Sequence, residues 1–128
     1  MNISVNPVKS VFVYEVNLTI EINVFAEHKD WLLNHFHSMV IENNFIKLNL
    51  FFVKNIDPID DTHLRYQKVV VQYYVSDYGT LQRYLEKQAK KMRSQVVEKL
   101  GPHYSVSRRI FELVEIFNNE RHPSCVVG

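Results

Sequence analysis

The chain has 128 residues, 46% apolar and 23% charged, enough for one domain with a genuine core and too little for two. Fifteen Lys and Arg against 14 Asp and Glu leave a formal charge of +1, so no global basic excess recruits nucleic acid. A single cysteine, Cys125, excludes an intrachain disulfide and a cysteine-based zinc site, and no stretch reaches the roughly 18 apolar residues of a membrane span.

Residues 1–10 form an irregular lead-in with a proline and without the pattern of a secretory signal, which sets the expectation of a cytoplasmic protein with no membrane partner. Strict alternation follows. Phe12, Tyr14, Val16, Leu18, Ile20, Ile22 and Val24 share one parity, and Glu15, Asn17, Thr19, Glu21 and Asn23 the other, the signature of a half-buried strand. At about 13 residues it is long enough to suggest a bend or bulge midway. From Ala26 the period becomes helical, with Leu32, Phe36, Met39 and Val40 on a stripe, Trp31 and His35 on its flank, and Asn43-Asn44 at its end. Alternation returns with Ile46, Leu48, Leu50 and Phe52. Residues 54–64, with a proline and three aspartates, are a loop. A third strand carries Val69, Val71, Tyr73 and Val75 on one face, and Lys68, Val70, Gln72 and Tyr74 on the other.

Ser76-Asp77 offers helix N-caps. Leu81, Leu85, Met92, Val96 and Leu100 make one long apolar stripe, closed by Gly101-Pro102. A last strand spans about Tyr104 to Phe117. Its apolar residues fall on both parities, consistent with two buried faces or with a bulge. The sequence thus divides into a lead-in (1–10), a domain (11–117) and a polar tail (118–128). The order βαββαβ predicts an α+β, ferredoxin-like fold, with a four-stranded antiparallel sheet and two helices on one face.

The opposite face would present Val13, Glu15, Asn17, Thr19 and Glu21, then Lys47, Asn49 and Phe51, then Lys68, Val70, Gln72 and Tyr74. Either water covers it or a second copy packs sheet to sheet around a cleft; Phe51, Val70 and Tyr74 favour the homodimer.

The segments Val71-Gln72-Tyr73, Leu81 to Ala89 and on through Arg93, Gly101 to Tyr104 and Arg108 to Glu112, with the opening Val13 to Val16 and the Trp31 helix, resemble the bacterial domain-of-unknown-function family numbered 4286. That resemblance covers residues 11–117 and implies a ferredoxin-like, dimeric α/β barrel with no assigned activity. The family's His-Ile-Pro step in the first helix is replaced by His35-Phe36-His37.

Chemistry-bearing groups are sparse. Three glycines, Gly79, Gly101 and Gly128, are too few and too scattered for a phosphate-cradling loop. Trp31 and His35, four apart on a helix, share a face, as a tryptophan and a helix histidine do in heme-degrading dimeric barrels; the plainer reading is a core or rim tryptophan beside a partly exposed histidine. Asp57, Asp60, Asp61 and His63 lack the spacing and the glycine of a calcium loop. Arg108 and Arg109 point to opposite sides of their strand, so one of them enters the cleft, to hold an anion or to pair with Glu15 or Glu112. Arg83, Lys87, Lys90, Lys91 and Arg93 make a solvated basic helix face. Cys125-Val126-Val127-Gly128 has Cys-a-a-X form, relevant to a protein delivered into a eukaryotic host. Trp31, His35, Gln72, Tyr74, Arg108 and Arg109 are the ligand candidates. The expected function is a homodimeric ligand-binding or interaction module without a cofactor or metal. The alternatives are a small oxygenase or isomerase of the dimeric barrel type, and a host-directed bacterial protein.

Overall fold

The computed structural model describes residues 11–54 and 65–121. Strand β1 (Phe12–Glu21) leads directly into helix α1 (Ile22–Glu42). Strands β2 (Lys47–Phe52) and β3 (Tyr66–Val75) follow, then helices α2 (Tyr78–Lys87) and α3 (Ala89–Leu100), and strand β4 (Tyr104–Glu112). The four strands form one antiparallel sheet in the order β2-β3-β1-β4. This is the ferredoxin-like arrangement expected from the element order, with three helices among the described residues in place of two.

β1 is one of the two inner strands, paired with β3 on one side and β4 on the other. Its even positions pair with even-facing neighbours, Tyr14 with Tyr73 and Ile110, Leu18 with Val69 and Val106. Tyr14, Leu18, Val69 and Tyr73, with Val71, Val75, Leu32, Phe36, Met39, Leu81, Tyr84, Met92 and Leu100, make the core between sheet and helices, and Val106 packs against it from β4. Removing this apolar surface from water is the dominant favourable term in folding.

Four local expectations are corrected. β1 ends at Glu21, because Ile22 and Val24 belong to the first turn of α1. Both continue the strand parity by coincidence, since Phe25, Leu32, Phe36 and Met39 already require helical spacing there. No bulge interrupts β1: its register against both neighbours is unbroken. The second helical stripe is two helices, parted at Gln88 (φ −118°, ψ −27°). Tyr84 and Ala89 are both buried, yet on one straight helix they would project about 140° apart, so the break brings both onto the core. β4 stops at Glu112, with Leu113 N–H still donating to the Val11 carbonyl (2.8 Å), and it has neither a bulge nor two buried faces. Ile110 and Phe111 are exposed on its two sides, and Val114, Ile116 and Phe117 lie exposed beyond it.

The turns follow residue chemistry. Asp77 caps α2, its Oδ1 accepting from Thr80 N–H at 2.7 Å. That bond, and a second from the Thr80 hydroxyl, hold its carboxyl below the usual range. Asn44 takes the left-handed conformation after α1 (φ 54°) and Gly101 does so after α3 (φ 62°), where a side chain would be strained.

Candidate functional site

The two faces of the sheet carry different chemistry. The face away from the helices is built in rows by the strand register. Lys47, Tyr74, Val13 and Phe111 form one row, Asn49, Gln72, Glu15 and Arg109 the next, and Phe51, Val70, Asn17 and Ser107 a third. Glu15 anchors the middle row and is only 3% exposed. Its carboxylate accepts from Gln72 Nε2 (3.0 Å), from Asn17 Nδ2 (3.0 Å) and from the Arg109 guanidinium. Burial alone would raise the Glu15 pKa. The bonds from Gln72, Asn17 and Arg109, with the Arg109 charge, outweigh it and bring the pKa below its ordinary value. Arg109 also lies over the Phe111 ring (4.7 Å), and Lys47 over Tyr74 (4.6 Å), whose hydroxyl accepts from Asn49 Nδ2 (3.3 Å). The satisfied polar row is bordered by aromatic surface: Phe51 is 49% exposed and Phe111 36%.

On the helix side, a cavity of about 40 Å³ lies between β1, β3 and β4 below and the three helices above. That is room for a few waters and far short of the roughly 300–1,000 Å³ of a drug-sized pocket. Tyr14, Tyr73 and Tyr84 line it with His35, Met39, Met92, Arg93 and Arg108, among others. Arg93 Nη2 donates to the Tyr14 hydroxyl at 3.3 Å. The Tyr84 hydroxyl contacts Met39 Sδ at 3.8 Å. Burial raises the pKa of both Tyr73 and Tyr84, so both stay protonated donors. His35 is buried between the stacked indole of Trp31 (5.1 Å, 14°) and the edge of Phe36. Burial lowers its pKa and the Glu42 charge only partly offsets this, which leaves a neutral imidazole at pH 7.

The six candidates therefore do not meet in one cleft. Gln72, Tyr74 and Arg109 lie on the open face, where Glu15 engages Gln72 and Arg109. His35 and Arg108 line the helix-side cavity. Trp31 is half-buried behind His35, with Lys99 Nζ 5.7 Å from its ring centre. His35 is a buried residue, not the partly exposed one expected. Tyr14, Tyr73, Tyr84 and Arg93 escaped sequence reasoning. The available signal was three tyrosines, polar-tipped residues, at core positions of three different elements. His103 pairs with Glu21 (2.8 Å) at the far end of β1. The 54–64 loop with His63 and its aspartates, apart from Lys54, and the tail with Cys125 lie outside the described residues. Among the described residues no three His, Cys, Asp or Glu side chains gather as metal ligands, and no helix is long and apolar enough to cross a membrane.

Residues 11–114 match a family described as a domain of unknown function, DUF4286. No curated protein matches the chain. Among solved structures, a dimeric ferredoxin-like protein from an uncultured marine organism superposes with a TM-score of 0.63 at 14% identity, over 84% of this chain and 99% of that one. A mutant of SnoaB, a cofactor-independent oxygenase from Streptomyces nogalater, gives 0.53 at 13% identity, over 84% and 98%. A de novo designed protein gives 0.55 at 16%, over 79% and 96%. At such identities the likeness concerns the fold, which hosts unrelated functions.

Proposed function

We propose, for a chain that belongs to the DUF4286 family, that the protein is a homodimeric binding module whose second copy covers the open sheet face. The observation that carries this reading is the row structure of that face. Aromatic surface at Phe51 and Phe111 flanks a polar row whose hydrogen bonds are already made within the protomer. Such a face loses few bonds to water when covered, and gains from burying its aromatic rims. The dimeric state of the marine ferredoxin-like neighbour supports the same choice. A single cysteine suits the cytoplasmic setting we assign to it. Light scattering coupled to size exclusion tests the proposal: a dimer is expected at micromolar concentration, and a monomer there overturns it.

A second reading, a small oxygenase or isomerase, draws on the neutral His35 at the helix-side cavity. A neutral imidazole is able to take a proton from an acidic phenol or enol. Oxygen uptake or isomerisation by the wild type with an enolisable phenol, abolished in His35→Ala, is the outcome this reading requires.

A further inference from the structure

We propose that the helix-side cavity is a binding site for a small carboxylate. It lies on the opposite side of the sheet from the pairing surface and so stands independently of the dimer. Two features of the lining carry the inference. The first is its charge. The guanidiniums of Arg93 and Arg108 border the cavity, and no aspartate or glutamate lines it. Arg93 is held there by its bond to the Tyr14 hydroxyl (3.3 Å), and Arg108 enters from β4 on the same side of the sheet. The second is unspent hydrogen-bonding capacity. The His35 imidazole is 8% exposed and the Tyr73 side chain lies in the core at 2%, and neither has a hydrogen-bond partner among the described residues. No fully buried side-chain N or O atom among the described residues lacks a partner, so these two polar groups are reached from the cavity and are open to a guest there.

The chemistry of that guest follows from the donors. Tyr73 and Tyr84 remain protonated and offer O–H groups, and the neutral imidazole offers one N–H. The arginines offer N–H groups that favour a planar two-oxygen acceptor. An anion with two oxygens on one carbon meets this set. A cation would meet two like charges and no carboxylate. The cavity's 40 Å³ admits a carboxylate head with at most a short apolar stem against Met39, Met92 and Val96.

Titration of the intact protein with sodium acetate tests this, followed by amide chemical-shift changes in β1 and α3 at constant ionic strength set with sodium chloride. Saturable shifts in the millimolar range are expected, as suits so small a ligand. Acetamide, equal in size and uncharged, should bind about tenfold more weakly or not at all. Arg108→Gln, on an exposed position, should keep the wild-type spectrum elsewhere and weaken acetate about tenfold. Tyr73→Phe should weaken it too, while retaining the fold by keeping the ring. Equal binding of acetate and acetamide, unchanged affinity in both variants, or the absence of saturable shifts overturns the proposal. Each of these results leaves the dimer assay untouched.

Discussion

The two faces of the sheet are built from the same strands and obey opposite rules. The helix-covered face is apolar almost throughout, and its residues are 0–4% exposed at Leu18, Ile20, Val69, Val71, Tyr73 and Val75. Its stability comes from packing. The open face has one buried residue of each kind on β1, Val13 and Glu15, and keeps the latter by satisfying it completely. A charge on that face survives because Gln72, Asn17 and Arg109 stand in for water. The comparison shows one sheet dividing its two faces: one holds the protomer together by packing, while the other carries a self-satisfied polar row that no helix covers among the described residues.

Several substitutions sharpen that contrast. The largest effect belongs to the covered face. Leu81→Ala removes a fully buried side chain and should cost about 2–5 kcal/mol in denaturant unfolding, with the oligomeric state unchanged at concentrations where the protein stays folded. On the open face, Phe51→Glu or Phe111→Glu should do the reverse. Each places a carboxylate on a half-exposed rim, and should weaken self-association about tenfold or more while leaving thermal unfolding of the monomer nearly where it was. A large loss of monomer stability in these variants would collapse the distinction between the faces.

Glu15 comes next. Glu15→Ala strands Gln72, Asn17 and Arg109 without their acceptor and should cost about 1–3 kcal/mol, Arg109 being exposed enough to recover water. The carboxyl also gives a pH signature. Its folded pKa lies below the ordinary 4.5, so the unfolded state binds more protons around and below that pH. Stability from this group is complete above its unfolded pKa and is lost as pH falls through the folded one. Unfolding curves of wild type and Glu15→Gln should therefore converge on acidification below pH 4.5.

The smallest effect is that of His35. Burial depresses its folded pKa below the ordinary 6.5, so here too the unfolded state takes up the proton first. Stability should be level above that value and should fall as pH drops from 6.5 toward the folded pKa. His35→Leu should flatten the curve in this window and leave the loss at lower pH, to which Glu15 and Asp77 contribute. A wild-type curve level from neutrality down to pH 5 would remove the buried neutral imidazole from the account.

Sequence periodicity carried the sheet and its handedness of exposure because β strands alternate rigidly, and an apolar residue on the wrong parity is expensive. Phe12 to Ile20 and Val69 to Val75 were legible for that reason. The start of α1 was not. Ile22 and Val24 satisfy both a two-residue and a helical period, and Glu21 offers no side-chain cap to mark the boundary. The break at Gln88 was hidden because Leu85, Met92 and Val96 fit one stripe, and the need for it arises only from Tyr84 and Ala89 meeting the same core. β4 misled for a third reason. Its apolar residues on both parities resemble a doubly buried strand, yet it lies at the sheet's edge, where no described segment covers Ile110. The candidate site was legible only in pieces. Alternation put Gln72 and Tyr74 on the open face and assigned Arg108 and Arg109 to opposite sides. It did not reveal that α1 and α3 bring His35 and Arg93 over Tyr14, since that depends on three-dimensional packing of distant segments.

The position of β4 at the margin of the sheet has one further consequence. Its outward backbone amides and carbonyls run beside bare apolar side chains, the type of border that seeds runaway strand stacking into fibrils. Arg108 and Arg109 stand back to back in the middle of that border, one charge on each side. An incoming strand from another molecule would have to bury a guanidinium whichever way it approached. Replacing both arginines with apolar residues should therefore promote aggregation through this edge, read as turbidity at concentrations where the wild type stays clear.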